Sequence, residues 1–296
     1  MRKTSVYLPE GLKRQLTALS ELSHRSEAEL LRAAIEQLID GEHARVAAPA
    51  PRDDHVAGRL VGVGVGPGSP DLLTVRALRA LHRATVVVAP CTDIAAPGRA
   101  ETIVREAAPD VTVERLVFVM APEPEDRSTA IAAVVERIGA LLDAGEEVAF
   151  VTLGDPNLYS TFSSVAGRVA ELRPGTPVVT VPGVMAFQEL AARSGTVLAD
   201  EQQSFLVLPA NSAETSAPGG AVTAALDDDS RTVVIYKGGR QMLSVASRLR
   251  DAGRLDGSVL GELLGLPGER IAQVADVADR PASYLSAVIV PARSGA

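Results

Sequence analysis

Apolar and polar positions change regime along the chain. Near its start Val6 and Leu8 alternate with Lys3, Ser5 and Tyr7 as far as Pro9, a period of two that predicts a short strand. Leu12, Leu16, Leu19 and Leu22 then recur at helical spacing, and Pro9 suits a helix start. Ser26 and Glu29 form the S-x-x-E pattern of a capping box ahead of Leu30, Leu31, Ala34, Ile35 and Leu38, so a second helix is expected. From residue 59 onward, strands are predicted at Leu60–Val65, Thr85–Ala89, Val111–Val119 and Glu147–Leu153, separated by helices near Val75–Leu81, Ala100–Ala107 and Thr129–Ala144. This βαβα alternation predicts an α/β fold with a mostly parallel sheet, helices on both faces and a ligand crevice at the carboxyl ends of the strands. After Pro182, strands at Ser204–Leu208, Arg231–Tyr236 and Leu285–Val290 lie between irregular, glycine-rich and acidic stretches, which predicts a second α/β lobe.

Residues 41–58, GEHARVAAPAPRDDHVAG, show no period and read as a linker. They divide a small domain at 1–40 from a larger part whose two lobes are expected at 59–180 and 181–296. One strand and two helices bury too little surface for a stable monomer, so the small domain needs a second copy, most simply by antiparallel pairing of two strands.

Charge narrows the function. The chain carries 29 basic and 37 acidic residues, a formal −8, which argues against a protein that coats nucleic acid along its length. Residues 1–58 hold 8 basic and 9 acidic side chains, so the acidity belongs to the larger part and a local DNA-binding module stays open. The lone Cys91 has no partner for an internal disulfide, and the four histidines are spread without metal-ligand spacing, so neither a disulfide scaffold nor metal catalysis is expected. No apolar run of membrane-spanning length occurs, and a cytoplasmic protein is expected.

Chemistry concentrates at strand ends. The first strand runs into Gly62, Gly64, Gly66 and Gly68, then Pro70 and a helix, which lets backbone approach a ligand. No G-K-[ST] follows, and Pro67 breaks a dinucleotide fingerprint; close strand-to-helix packing explains the glycines equally well. A second cluster, VTLGDPNLYSTF at residues 151–162, ends another strand, and VPGVMAF at 181–187 repeats the design. A fourth is YKGGR at 236–240. Lys237 there is the only lysine after Lys13 in a chain that otherwise uses arginine, which points to contact with an anionic or carbonyl group, or to a snorkelling surface residue. The Asp155 carboxylate has two readings, proton transfer and the local bonding of a Gly-Asp-Pro corner.

GVGVGPGSPDLLTVRALRAL, VTLGDPNLYSTF, VPGVMAFQELAAR and YLSAVIVP, in that order over residues 59–296, resemble the tetrapyrrole methylase family of S-adenosylmethionine-dependent enzymes. Within it, GDP-x-x-YSTF, LVLPA, KGGR and YLSAVIVP are most similar to the branch acting in cobalamin biosynthesis. The resemblance implies a two-lobed homodimer with a parallel-sheet lobe and a mixed lobe, S-adenosylmethionine between them and a polycarboxylate tetrapyrrole as acceptor. Carried over by motif, Pro67, Gly154, Asp155, Leu158, Ser160, Thr161, Met185, Ala186, Lys237 and Leu264 would hold the cofactor. Asp155, or a water held by Tyr159, would assist loss of the proton. Arg240 with Lys237 would meet substrate carboxylates, with Arg99 and Arg127 as further candidates. Met185 and Phe187 stand where the family often has small or hydroxyl residues, which leaves room for a related methylase with another substrate.

KTSVYLPEGLKRQL followed by RSEAELLRAAIEQLI resembles the ribbon-helix-helix family of dimeric DNA-binding domains, with Ser23-His24 where a glycine is common. That resemblance would put Lys3, Ser5 and Tyr7 in the major groove and the amides near Ser26 on phosphate. The alternatives are a module that only dimerises the enzyme, and a DNA-binding regulator whose methylase-like part senses S-adenosylmethionine or a corrinoid.

Overall fold

A computed structural model describes residues 10–23, 25–35, 58–118, 124–210 and 220–293. The chain divides into two compact units, Met1–Pro51 and Arg52–Ala296. No helix among the described residues is long and apolar enough to cross a membrane.

The first unit contains helix α1 (Glu10–Ser23) and a helical run over 27–35, α2. The expected capping box is formed: the Glu29 carboxylate accepts the Ser26 N–H at 2.9 Å, and Ser26 Oγ accepts the Glu29 N–H at 3.3 Å. The Ser26 N–H and, next, the Ser26 hydroxyl, which donates to the same carboxylate at 2.9 Å, hold the Glu29 carboxyl below its usual range. Lys13 and Thr17 on α1 both bond the Glu27 carboxylate, joining the two helices. Leu19 and Ile35 remain exposed. The predicted strand, with Lys3, Ser5 and Tyr7, lies outside the described residues.

The second unit begins with β1 (Arg59–Gly64), α3 (Val75–Arg83), β2 (Val86–Cys91), α4 (Arg99–Ala107), β3 (Val113–Val117), α5 (Pro124–Asp143), β4 (Glu147–Thr152), α6 (Thr161–Leu172) and β5 (Val178–Val181). These five strands form one all-parallel sheet in the order β3-β2-β4-β1-β5, and Leu60 of β1 pairs with both Val148 and Val178. The period of two sends Val61, Val63, Ala149 and Val151 to one face, against Leu81 and Ile103 of α3 and α4. Leu60, Val148 and Phe150 point to the other face, against Ile138 and Phe162 of α5 and α6. Both faces are buried, which is why these strands read as continuous apolar runs.

The chain continues through α7 (Ala186–Ser194), β6 (Phe205–Pro209), α8 (Ala221–Leu226), β7 (Thr232–Tyr236), α9 (Met242–Asp251), β8 (Val259–Glu262), β9 (Arg270–Gln273) and β10 (Ser286–Val290). The second sheet has the order β6-β7-β10-β8-β9; β6 and β7 are parallel and the remaining pairs antiparallel. Helices α8 and α9 cover one face, while Phe187 and Leu190 of α7 pack on the other beside Val234 and Ile289. Most expected elements shift by one or two residues at their edges, such as β2, expected at Thr85–Ala89 and found at Val86–Cys91, and two shift further or shorten. The strand expected at Val111–Val119 spans Val113–Val117, and the helix expected from Thr129 begins at Pro124, where proline fits a first helical turn.

Candidate active site

The carboxyl ends of β1, β4 and β5 meet at three glycines. A Cβ on Gly64 would lie 2.5 Å from the Gly154 carbonyl oxygen and 2.6 Å from the Gly183 nitrogen, so the three strand ends approach as closely as bare backbone allows. Gly154 has φ +72° and donates its N–H to the Gly66 carbonyl at 2.7 Å. A Cβ added there would meet nothing within 4 Å, which leaves its outer side open to a ligand.

Asp155 holds this junction. One carboxylate oxygen accepts the Asn157 N–H at 2.8 Å, and the other accepts the Gly183 N–H at 3.1 Å. The corner-turn reading of Asp155 is thus present as hydrogen bonds, extended across to the end of β5. Thr152 and Ser160 share a hydroxyl bond of 2.9 Å, and Ser160 Oγ accepts the Phe162 N–H as the N-cap of α6.

The facing wall comes from the second sheet. Lys237 follows β7, and its Nζ donates to the Tyr159 carbonyl oxygen at 3.0 Å. Of the two readings of this lysine, contact with a carbonyl is the one formed. The Tyr159 hydroxyl donates to the Val207 carbonyl at 3.2 Å. Burial raises the pKa of the Tyr159 hydroxyl and pushes that of Tyr236 up to about 12, so both are neutral donors and acceptors near neutral pH. Tyr236 accepts the Phe187 N–H at 3.0 Å. Phe187 itself is buried beneath Tyr236 and Phe205, away from the cleft, so the doubt about substrate attached to it rests on Met185 alone. Met185 precedes α7, and its N–H donates to Gln188 Oε1 at 2.9 Å.

These groups line one cleft of about 630 Å³. It brings together Pro67, Gly154, Asp155, Leu158, Tyr159, Ser160, Thr161, Met185, Ala186, Lys237 and Leu264, and Arg99 joins them from the start of α4. Arg240 has its backbone in the short turn Gly239–Gln241, but its side chain and that of Arg127 lie outside the described residues. Tyr236, at the head of the YKGGR strand end, also lines the cleft, as do Phe118, Leu263 and Tyr284, which were not among the expected site residues. Tyr284 stood within a quoted motif, the only signal that could have found it.

A parallel lobe and a mixed lobe facing one glycine-floored cleft at strand ends define a two-lobed α/β enzyme class, with its ligand site where open parallel sheets place one. The chain belongs to the family described as Tetrapyrrole (Corrin/Porphyrin) Methylases, whose pattern matches residues 59–278. It is 32% identical over 240 residues to the cobalt-precorrin-2 C(20)-methyltransferase of Salmonella typhimurium, covering 79% of this chain and 96% of that one. It is also 32% identical over 243 residues to the precorrin-2 C(20)-methyltransferase of a Sinorhizobium species, covering 79% and 95%. Among solved structures, cobalt precorrin-4 methyltransferase superposes with a TM-score of 0.60 at 21% identity, covering 82% of this chain and 97% of the other.

Proposed function

We propose that the chain is an S-adenosylmethionine-dependent C-methyltransferase acting on precorrin-2 at C-20, in cobalamin biosynthesis. The observation that carries this reading is the single cleft on which the GDP-x-x-YSTF, VPGVMA and YK segments converge, in a chain spanning nearly the full length of relatives named for that reaction. The cleft suits a nucleoside sulfonium. Its floor includes the bare backbone of Gly154, with Gly64 and Gly183 packed behind it, its walls are mostly apolar, and its volume lies in the range of small-molecule sites. When bound, S-adenosylmethionine supplies an electrophilic methyl group to a carbon nucleophile.

In this reading Pro67, Gly154 and Asp155 hold the methionine part, Met185 and Ala186 the nucleoside, and Leu158, Ser160, Thr161 and Leu264 the remaining wall. The protein contributes mainly position, because the displacement needs little covalent help. Asp155 is the one carboxylate among the described lining residues, so it takes the proton released from the methylated carbon, oriented by the N–H groups of Asn157 and Gly183. Arg99 and Arg240 meet acceptor carboxylates. The experiment is mass spectrometry of the product after incubation with S-adenosylmethionine and precorrin-2, metal-free or cobalt-loaded. A gain of one methylene is expected; the absence of turnover with either acceptor would refute it.

A second reading concerns the N-terminal unit. Its two short helices leave Leu19 and Ile35 exposed, and such apolar positions on a unit this small favour burial against a second copy. We infer a ribbon-helix-helix dimer that presents Lys3, Ser5 and Tyr7 to the major groove, on an enzyme that is itself a homodimer in the cytoplasm. A gel shift on the protein's own upstream DNA, with and without S-adenosylmethionine, tests it. No retardation at low salt would leave dimerisation alone as the role of this unit.

A further inference from the structure

Three residues in the cleft wall hold backbone conformations that bulky side chains rarely adopt: Tyr159 at φ +52°, Lys237 at φ +57° and Leu263 at φ +49°. The first two form a pair. They face each other from the two lobes. The Lys237 ammonium donates to the Tyr159 carbonyl oxygen at 3.0 Å and stands 5.6 Å from the centroid of the Tyr159 ring. The same tyrosine donates its hydroxyl to the Val207 carbonyl on β6. One residue of the first lobe is therefore held at both ends by the second, its backbone by an ammonium and its phenol by a strand carbonyl.

Lys237 is itself fixed, since its N–H donates to Ser286 of β10 at 3.3 Å. A compact ammonium can satisfy one carbonyl beneath an aromatic ring, where a planar guanidinium would need more room. That accounts for a lysine at 237 in a chain that places arginine nearly everywhere else. The turn it grips leads straight into Ser160, which caps α6 and bonds Thr152, so the conformation of residue 159 sets the wall from Leu158 to Thr161. Strained backbone of this kind persists only where its surroundings over-determine it, and it collects at ligand sites.

We propose that Lys237 is a positioning residue: it latches the Tyr159 turn across the two lobes and so fixes the shape of the cleft, acting on the ligand through Tyr159 rather than by direct contact. The proposal rests on reading the cleft as the S-adenosylmethionine site. Because both anchors act on one turn, losing the first forfeits most of what the second supplies, and the two must be coupled.

The test is a double-mutant cycle on the full chain, with S-adenosylmethionine affinity read by calorimetry for Lys237→Met, Tyr159→Phe and the double variant. Each single change should weaken binding about tenfold, the loss of roughly one hydrogen bond, and the double variant should bind close to the weaker single. Lys237→Arg should recover part of the loss. Amide exchange at residues 158–161, measured without ligand, should quicken in both single variants. Effects that multiply to about a hundredfold would show two independent ligand contacts and overturn the latch. Unchanged exchange at 158–161 would overturn it without reference to any ligand. A wild-type chain that binds no S-adenosylmethionine while exchange still quickens would instead sink the cofactor reading and leave the latch standing.

Discussion

Glu101, wholly buried in the first turn of α4, accepts from Arg115 of the edge strand β3 at both oxygens, at 2.7 and 3.0 Å. Arg105 adds a bond of 2.7 Å, and the remaining amino group of Arg115 donates to the Ile94 carbonyl at 2.8 Å. The pair therefore ties β3 to the segment between β2 and α4, whose Pro97 and Gly98, with Arg99 at the start of α4, form one wall of the cleft. Burial pushes the Glu101 carboxyl up; the bonds from Arg115 and Arg105 outweigh it and hold the group below its ordinary value of 4.5.

Glu101→Gln should destabilise the second unit by about 3–5 kcal/mol, because it leaves Arg115 without its counter-charge. The folded pKa lies below the unfolded one, so the carboxylate's contribution is complete above pH 4.5 and is lost as pH falls through the folded value. Urea midpoints for wild type and variant should differ at pH 7 and converge in acid. Equal midpoints at pH 7 would show that the pair contributes nothing net.

The first lobe was legible because its strands are buried on both faces and read as unbroken apolar runs, as in Leu60–Val65. In the second sheet β8 and β9 escaped notice. VLGE and RIAQ are four residues each, and they become strands by pairing with each other and with β10, a tertiary effect that local pattern does not carry. The cleft shows the same division. Residues 154–161 lie contiguously in one quoted motif. Tyr284 reaches the cleft because Glu262 on β8 accepts the Ser283 N–H and clamps the segment before β10, a contact that exists only once β8 is in place.

Gly64→Ala should damage the site from behind, through Gly154, which lines the cleft. The new methyl would lie 2.5 Å from the Gly154 carbonyl oxygen, which is backbone and cannot swing aside. Overpacking of this kind costs about 1–3 kcal/mol. Thermal melting should fall accordingly, and S-adenosylmethionine affinity should fall with it because Gly154 and Gly183 must separate. Unaltered affinity in a folded variant would show that the junction of β1, β4 and β5 is not the ligand floor.

Asp155→Asn separates the two uses of that side chain. The amide keeps one acceptor oxygen and can hold either the Asn157 or the Gly183 N–H, so folding should lose about 1 kcal/mol, one hydrogen bond. It cannot take a proton at neutral pH, so kcat should fall by about 10²–10⁴, well beyond any loss of cofactor affinity from its contact with the methionine part. A drop in kcat of less than about tenfold would confine Asp155 to the corner and move proton acceptance to solvent.

The most demanding test of the second lobe lies away from the cleft, at Arg254. This buried guanidinium faces carbonyls only: Asp228 at 3.0 Å, Arg231 at 2.8 Å and Pro291 at 2.9 Å, with longer approaches to Leu226 and Val290. It joins the segment after α8, the residue before β7 and the end of β10. Its Nε is buried without a partner among the described residues, and burial pushes its pKa down. Two effects thus oppose each other: loss of the carbonyl bonds disfavours replacement, and relief of a desolvated charge with an orphan donor favours it. The bonds to a charged donor are the larger, so Arg254→Met should cost about 2–4 kcal/mol, or roughly 5–15 °C in melting temperature for a unit of this size. Arg254→Lys should cost nearly as much, since one ammonium cannot span carbonyls that two guanidinium nitrogens divide between them. Differential scanning calorimetry of both variants decides the balance: a lysine variant melting at or above wild type would mean that desolvation of the guanidinium, with its unpaired Nε, outweighs the carbonyl cluster.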